Sequence, residues 1–545
     1  MVQVDRRVGL LFAGFLALLG AAGLRAMWLV TLEGHSLRSR AAAQQVQVLK
    51  APARRGTITD RNGVELAVSE DSATVIADPR LVHNPADAAA RLAPVIGQPI
   101  DTLLRELGDS RRGFVYIARQ IDPSRGDAVR KLKIPGVDVT VEPRRRYPHG
   151  MLASQLIGAV GTDGYGLAGI EQSRERTLHG VDGTRRVVSD AIGQPVSIVD
   201  LKPSSPGRDV RLTIDSAIQE KTESVLDDVG RLYQPKGATA MVMNPRNGEI
   251  LALSNWPPVD AQHFGDAPAY ARQDRAVGAS YEPGSTFKAI TVSAALQERR
   301  ATPGSVFDVP PVLQIADRTI HDPETHGYES LTVAQILARS SNIGTDEIGL
   351  RLGRYTFDRW VRRFGFGRST HVDIPGEAAG IVPRPAQYSG SSMGNLPIGQ
   401  GLAVTPVQMA AAYEAIANDG VAYTPHVIEG GRPRPRRVID SGTAHEVARM
   451  LEGVLGPGGT APEAKIPGYV LAGKTGTAQK PVAGGYSSTK YVASFIGFAP
   501  ARNPRLLVAV MVDEPQGSIY GGAVAAPAFQ KIASFALPYL RIPPG

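Results

Sequence analysis

The sequence predicts a mixed α/β fold: a C-terminal domain whose sheet is assembled from distant parts of the chain, preceded by a β-rich N-terminal module and one membrane-crossing helix. Three observations predict it. An uncharged run from Val8 to Leu24 opens the chain, short β-type runs with turn signals recur between residues 33 and 207, and beyond residue 208 strand patterns stand at both ends with helical patterns between them. A chain of 545 residues also exceeds what one hydrophobic core ordinarily organises, so two or more folded units are expected.

The first element sets the address. Arg6 and Arg7 precede the uncharged run, and after Arg25 apolar character resumes through Ala26, Met27, Trp28, Leu29 and Val30. Roughly 20 residues span a bilayer, Trp28 suits the far interface, and Arg25 can snorkel toward headgroups. The arginine pair favours the cytoplasmic side, giving a tail at 1–7, an anchor at 8–32 and everything from about residue 33 outside the membrane. The competing reading is a cleaved signal peptide with Ala21, Ala22 and Gly23 at the cleavage site. Apolar sequence continuing past those small residues favours the uncleaved anchor. No later segment matches the run in length and hydrophobicity, so a single-pass protein is expected.

Charged residues at 21% and apolar residues at 43% argue against long disorder or a multi-spanning membrane protein. The chain has no cysteine, which excludes disulfides, thiolate metal sites and a cysteine nucleophile. The formal charge of +8 reads as a solvated basic surface rather than a nucleic-acid interface, because the arginines are scattered and the one dense run, Arg432 to Arg437, alternates with prolines.

In the module at 33–207, Gly56 to Ala67 reads as two strands around the Asn62-Gly63 turn. Lys202 to Gly207 has linker composition and marks the boundary with a domain at 208–545. There Val210 to Ile214 reads as a strand, Ser216 to Val229 as a helix capped by Asp215, and Ala238 to Met243 with Glu249 to Ser254 as a hairpin. Val492 to Phe498 and Leu506 to Asp513 read as buried strands, and Phe529 to Tyr539 as a last helix.

The chemistry begins at Ser285. Glu282-Pro283-Gly284-Ser285-Thr286-Phe287-Lys288 leads into an apolar helical stretch, Ala289 to Leu296, and residues i and i+3 share one helix face, so the Lys288 amine can reach the Ser285 oxygen and take its proton. Alone the pair is weak evidence, since Ser487 to Lys490 repeats the spacing in what reads as a loop. Two further elements follow in order: Ser340-Ser341-Asn342 and Lys474-Thr475-Gly476-Thr477. Ser-x-x-Lys, Ser-x-Asn and Lys-Thr-Gly in that sequence are the three motifs of penicillin-binding proteins and serine β-lactamases. Ser340 can pass a proton toward a leaving amine, and Asn342 can hydrogen-bond the substrate's peptide group. Gly476 would let substrate backbone lie against a strand edge, Lys474 with Thr475 and Thr477 suits a carboxylate, and the backbone N–H groups of Ser285 and Thr477 would form an oxyanion hole. Lysine ordinarily titrates near 10.4, so a neutral Lys288 needs desolvation or a nearby cation such as Lys474.

From about Arg54 to Ile532 the chain resembles class B penicillin-binding proteins, specifically the division-type monofunctional peptidoglycan D,D-transpeptidase. Beyond the three motifs, the resemblance is carried by Arg54-Arg55-Gly56, Asp60-Arg61-Asn62-Gly63, Gly399 to Pro406, and Tyr520 to Pro527, the last pointing to the division rather than the elongation type. The resemblance implies a serine β-lactamase-like domain with a central antiparallel sheet flanked by helices, on an elongated pedestal of the dimerisation type. It also implies acylation of Ser285 by a D-Ala-D-Ala stem peptide, loss of D-alanine and attack by an amine of a neighbouring strand, with no cofactor and no metal. The implied partners are a SEDS-family glycosyltransferase and other membrane proteins of the division machinery, at the bacterial inner membrane. No glycosyltransferase module fits before residue 207, which disfavours the bifunctional class, and no PASTA repeats follow residue 545, which favours a Gram-negative envelope.

Other readings stand beside this one. A serine β-lactamase needs a deacylating base. The nearest candidate, Glu414 to Asn418, lies in an apolar helical pattern that reads as a surface helix. A penicillin sensor would need a cytoplasmic signalling domain, whereas a scaffold role alongside catalysis stays open. His321, Asp322, Glu324 and His326 can be read as metal ligands, but a polar loop leading to Ser340 accounts for them equally.

Overall fold

The computed structural model describes residues 2–31, 46–189, 195–431 and 433–544. The expected end of the anchor at residue 32, the start of the module at 33 and Arg432 lie outside the described residues, as do the side chains of Arg6 and Arg7. Helix α1 covers Val2–Thr31, and its stretch Val8–Leu29 is long and apolar enough to cross a membrane.

The rest of the chain forms two compact units that interleave in sequence: one comprises Met1–Arg55, Ser69–Arg144 and His179–Gly207, the other Gly56–Val68, Arg145–Leu178 and Arg208–Gly545. In the first, Val46–Ala51, Gly183–Ser189 and Pro195–Lys202 make an antiparallel sheet. The far half of the strand Glu65–Ala77 pairs antiparallel with Val115–Ile121, and helices Pro85–Ile96 and Ile100–Gly108 bury Leu92, Ile96, Leu103 and Leu107 in the same core. The β-type reading of this region missed both helices, although their signals are present. Asn84 accepts the Asp87 N–H as an N-cap, Pro85 occupies the first turn, and the apolar residues recur at helical spacing.

In the second unit the Asn62-Gly63 turn joins Ile58–Thr59 to the start of Glu65–Ala77, as the sequence predicts. Asp60 organises the turn. Its Oδ1 accepts the N–H groups of Asn62 and Val64 at 2.7 and 2.8 Å, and its Oδ2 accepts that of Ser216 at 3.1 Å, at the start of helix α2 (Ser216–Tyr233). The expected strand at Val210 to Ile214 shortens to Val210–Arg211, because Leu212 leaves the ladder to bridge Ile428. Asp215 caps α2 as predicted, accepting the N–H groups of Ala217 and Ile218.

Five strands then build the central sheet: β1 (Gly237–Asn244), β2 (Glu249–Trp256), β3 (Ala472–Val482), β4 (Gly485–Ala499) and β5 (Leu506–Asp513), antiparallel throughout in the order β2-β1-β5-β4-β3. From Gly237 to Met243 every residue of β1 is buried, as a strand covered on both faces requires. Helix α2 and the last helix, Gly521–Tyr539, pack together and on the sheet. That helix starts eight residues before the predicted Phe529. Ser487 to Lys490, read from sequence as a loop, belongs to β4, whose exposed end continues the hairpin with β3. Strand β3 is therefore an edge of this sheet, and it carries Lys474 to Thr477.

Asp60→Ala tests the turn. It leaves three N–H groups without their acceptor and should cost roughly 2–3 kcal/mol, read as a lower denaturation midpoint. Burial pushes the Asp60 carboxyl up, but the N–H groups of Val64, Ser216 and Asn62 outweigh it and hold it below the usual carboxylate range. The stabilisation is thus present above that range and disappears as pH falls through the lowered value, so the gap between wild type and variant should close in acid.

Candidate active site

Ser285 lies in the tight turn Gly284–Phe287 that leads directly into helix α3 (Lys288–Gln297), so Ser285 and Lys288 are brought onto one side of a continuous turn. Three segments clamp the turn. The Gly284 N–H donates to Gly399 O, Tyr281 and Val404 exchange N–H···O bonds, and the buried Tyr413 hydroxyl donates to Thr286 O at 2.7 Å. The Gly399 to Pro406 stretch is thereby explained as the wall behind the serine, ending where Thr405 caps helix α6 (Pro406–Ala417). Tyr413 escaped the sequence analysis because a tyrosine in an apolar helix reads simply as core.

Helix α3 is buried from Lys288 to Leu296, and Lys288 itself is 0% exposed. Its Nζ donates to Ser340 O at 2.6 Å, Asn342 Oδ1 at 2.7 Å and Ser340 Oγ at 3.3 Å. No hydrogen bond joins it to Ser285 among the described residues. Desolvation pushes Lys288 down to about 8, against the opposing pull of Asp322 and Asp346.

The second motif sits between helices α4 (Val333–Arg339) and α5 (Asn342–Leu352). Ser340 caps α4 with φ +62, a left-handed conformation uncommon for serine, and its carbonyl faces Lys288. Ser341 caps α5 by accepting the Gly344 N–H. Asp322 braces the start of α5, accepting the N–H groups of Asn342 and Ile343 at 2.5 and 3.0 Å, and His326 Nε2 lies 3.1 Å from its other oxygen. Asn342 Nδ2 donates to His321 O, which leaves Oδ1 turned to the lysine. The polar loop at His321 to His326 is thus a scaffold for the second motif. Among the described residues no cluster of three or more acids and histidines could hold a metal ion.

On the edge strand β3, Lys474 is also 0% exposed, and its Nζ donates weakly to Thr475 O and Oγ1 at 3.2 and 3.3 Å. Burial, with the Lys288 cation adding to it, drives Lys474 well below its ordinary value. Thr475 Oγ1 lies 2.7 Å from Thr460 Oγ1, whereas Thr477 Oγ1 accepts the Gly521 N–H at 3.0 Å and keeps its own proton to donate. Gly476 has a different task from the close approach of substrate foreseen in the sequence: a Cβ there would stand 2.3 Å from Ser494 Oγ and 3.0 Å from Pro283 O, so the bare backbone lets β3 press on the serine turn.

The Tyr520 to Pro527 stretch opens helix α7 (Gly521–Tyr539) against the same strand. A Cβ on Gly521 would meet Gly476 O at 2.3 Å and Ser494 O at 2.4 Å. Glu414, expected on a surface helix, is 0% exposed inside α6. The helix is buried nearly all round because its apolar residues cover every face. Burial holds the Glu414 carboxyl well above the carboxylate range, and the groups acting against this are Tyr423 and Arg436.

The comparisons with known proteins agree with this geometry. Residues 238–534 match the penicillin binding protein transpeptidase domain, and residues 50–212 match the penicillin-binding protein dimerisation domain. The probable peptidoglycan D,D-transpeptidase PenA of Neisseria meningitidis is 35% identical over 98% of this chain and 92% of its own. Peptidoglycan D,D-transpeptidase FtsI of Escherichia coli is 32% identical over 95% and 89%. The crystal structure of penicillin binding protein 3 from Mycobacterium tuberculosis complexed with ampicillin superposes with a TM-score of 0.72 at 31% identity, covering 91% of this chain and 97% of that one.

Gly521→Ala probes the packing on β3. It touches no candidate catalytic group, yet the added methyl must push α7 off the strand. Penicillin acylation should fall by roughly tenfold or more, measured with a fluorescent penicillin, because a shift on the order of 1 Å in the supporting strand misplaces the third motif.

Proposed function

The chain belongs to the class B penicillin-binding proteins and is a serine-type D-Ala-D-Ala peptidoglycan transpeptidase, and from that premise we propose that it cross-links stem peptides at the division septum through an acyl-enzyme on Ser285. The observation that carries the mechanism is the desolvated Lys288, bound to Ser340 and Asn342 and placed one turn after Ser285. A lysine brought down to about 8 is neutral often enough near neutral pH to act as a base.

Lys288 takes the Ser285 proton as Oγ attacks the carbonyl of the penultimate D-alanine. The backbone N–H groups of Ser285 and Thr477 receive the oxyanion. Ser340 relays a proton to the departing amine as the C–N bond breaks and D-alanine leaves. An amine from a neighbouring strand then attacks the ester, forming the cross-link and returning the proton to Ser285. Thr477, with a free O–H, and Lys474 beside Thr475 and Gly476 hold the terminal carboxylate. The second N–H of the Asn342 amide orients the peptide. A β-lactam follows the same first step and remains attached.

The division role rests on the resemblance at Tyr520 to Pro527, with which the Escherichia coli relative named FtsI accords. In this reading residues 1–7 are cytoplasmic, 8–32 anchor the chain once in the inner membrane, 33–207 form the pedestal and 208–545 the periplasmic catalytic domain. Helix α1 and the pedestal engage a SEDS-family glycosyltransferase and other membrane proteins of the division machinery. The length and apolarity of Val8–Leu29 support the anchor.

Lys288→Arg tests mechanism and role together, since a guanidinium stays protonated and cannot accept the serine proton. Acylation by penicillin should fall roughly 10²- to 10⁴-fold. In cells depleted of the wild-type chain, the variant should leave filaments without septa. Acylation near the wild-type rate would place the base elsewhere, and round rather than filamentous depleted cells would assign the enzyme to elongation.

A further inference from the structure

Lys288 is acted on by two carboxyl groups in very different surroundings. Asp322 is spoken for: it accepts two N–H groups of α5 and meets the His326 ring. Asp346 is not. It is 0% exposed, and neither of its oxygens has a hydrogen-bond partner among the described residues. It stands one helical turn after Asn342 on α5, so the same helix face presents to α3 both the amide that accepts from Lys288 and a bare carboxyl.

We propose that Asp346 is a positioning residue of the transfer reaction, acting through Lys288 by supplying the buried counter-charge that keeps this lysine a strong enough base. The inference rests on Lys288 as the base of the reaction proposed above. A carboxylate without donors is disfavoured in a dry interior unless a cation is near, and Lys288 is that cation whenever it carries a proton. The two buried lysines make the comparison. Lys474, with no carboxylate acting on it, is driven well below its ordinary value, whereas Lys288, equally buried but opposed by Asp322 and Asp346, stops at about 8. Without the counter-charge, Lys288 would follow Lys474 and lose the basicity needed to take the serine proton.

The charged groups acting on Asp346 are Lys288 from α3, Arg318 from the strand Arg318–Ile320, Asp322 from the following loop and Glu347 on its own helix. Other elements packed on α5 direct their charges elsewhere: Arg339 of α4 pairs with Glu329, and on the helix Arg354–Phe364 Arg359 pairs with Glu298 and Asp358 with Arg362. Arg363 donates to Val438 O, Arg354 lies over Tyr355, and Asp308 of the strand Val306–Val309 accepts from Ser330. The turns Ser392–Gly394 and Leu396–Ile398 carry no charge.

The test is the pH profile of single-turnover acylation of the full-length protein by a fluorescent penicillin. Amplitude counts folded sites and the rate constant reports the chemistry, so partial misfolding of a variant lowers only the amplitude. In Asp346→Asn the acid limb should move down by roughly one pH unit, because loss of the anion disfavours the ammonium, and the rate above the limb should fall by roughly tenfold as the base weakens. Asp346→Ser should behave the same way if the asparagine variant does not fold, and Asp346→Glu should return the limb toward wild type. A limb at its wild-type pH in the asparagine or serine variant, with the rate unchanged or lowered equally at every pH, overturns the proposal. Absence of an adduct on Ser285 in the wild-type protein would instead overturn the reaction on which it rests.

Discussion

The catalytic half of this protein is arranged around a lysine that has been removed from water. Burying an ammonium is costly unless acceptors and counter-charge surround it, and Lys288 obtains its acceptors from one place, the junction of α4 and α5. That requirement accounts for several otherwise separate features. Ser340 adopts a left-handed conformation because its carbonyl must face inward at the end of α4. Asn342 must hold its amide oxygen toward the lysine, so His321 O takes the Nδ2 proton and Asp322 fixes the backbone of the first turn of α5.

The third motif meets the same problem from the sheet. An edge strand offers unpaired backbone to a ligand, and β3 carries a second dry lysine there. Two glycines make the arrangement compact: Gly476 lets the strand touch the serine turn, and Gly521 lets α7 begin against Gly476 O. The hydroxyl of Thr477 is oriented from behind by the first N–H of that helix. Serine turn, interhelical junction and edge strand thus form one packed unit, in which pressure on any member reaches the others through a few close contacts.

Much of this site was legible because its chemistry is local in sequence. Ser285 and Lys288 are three residues apart, Ser340 and Asn342 two, and Lys474 to Thr477 contiguous, so spacing alone places them on one turn, one junction and one strand. The supporting groups were not legible, since their relation to the site is made only by folding. Asp322 precedes Asn342 by 20 positions in a polar loop, Tyr413 follows Thr286 by 127, and Asp346 resembles any acid on a mid-length helix. The fold shows the same division. The hairpins and the helix capped by Asp215 followed from turn and capping residues, whereas the helices at Pro85–Ile96 and Ile100–Gly108 were obscured by a preference for β-type runs. Ser487 to Lys490 is polar on an exposed strand end, where alternation carries no burial signal, and Glu414 is an acid in a helix with no solvent face.

The central claim is that one serine, supported by this buried lysine, carries the acyl group. It is tested most directly by intact-mass and peptide-mapping mass spectrometry of the full-length protein after exposure to penicillin. The account predicts a single penicilloyl group, mapped to Ser285 and persisting for many minutes. An adduct on Ser487, or rapid release of free penicilloate with no accumulated acyl-enzyme, would contradict it.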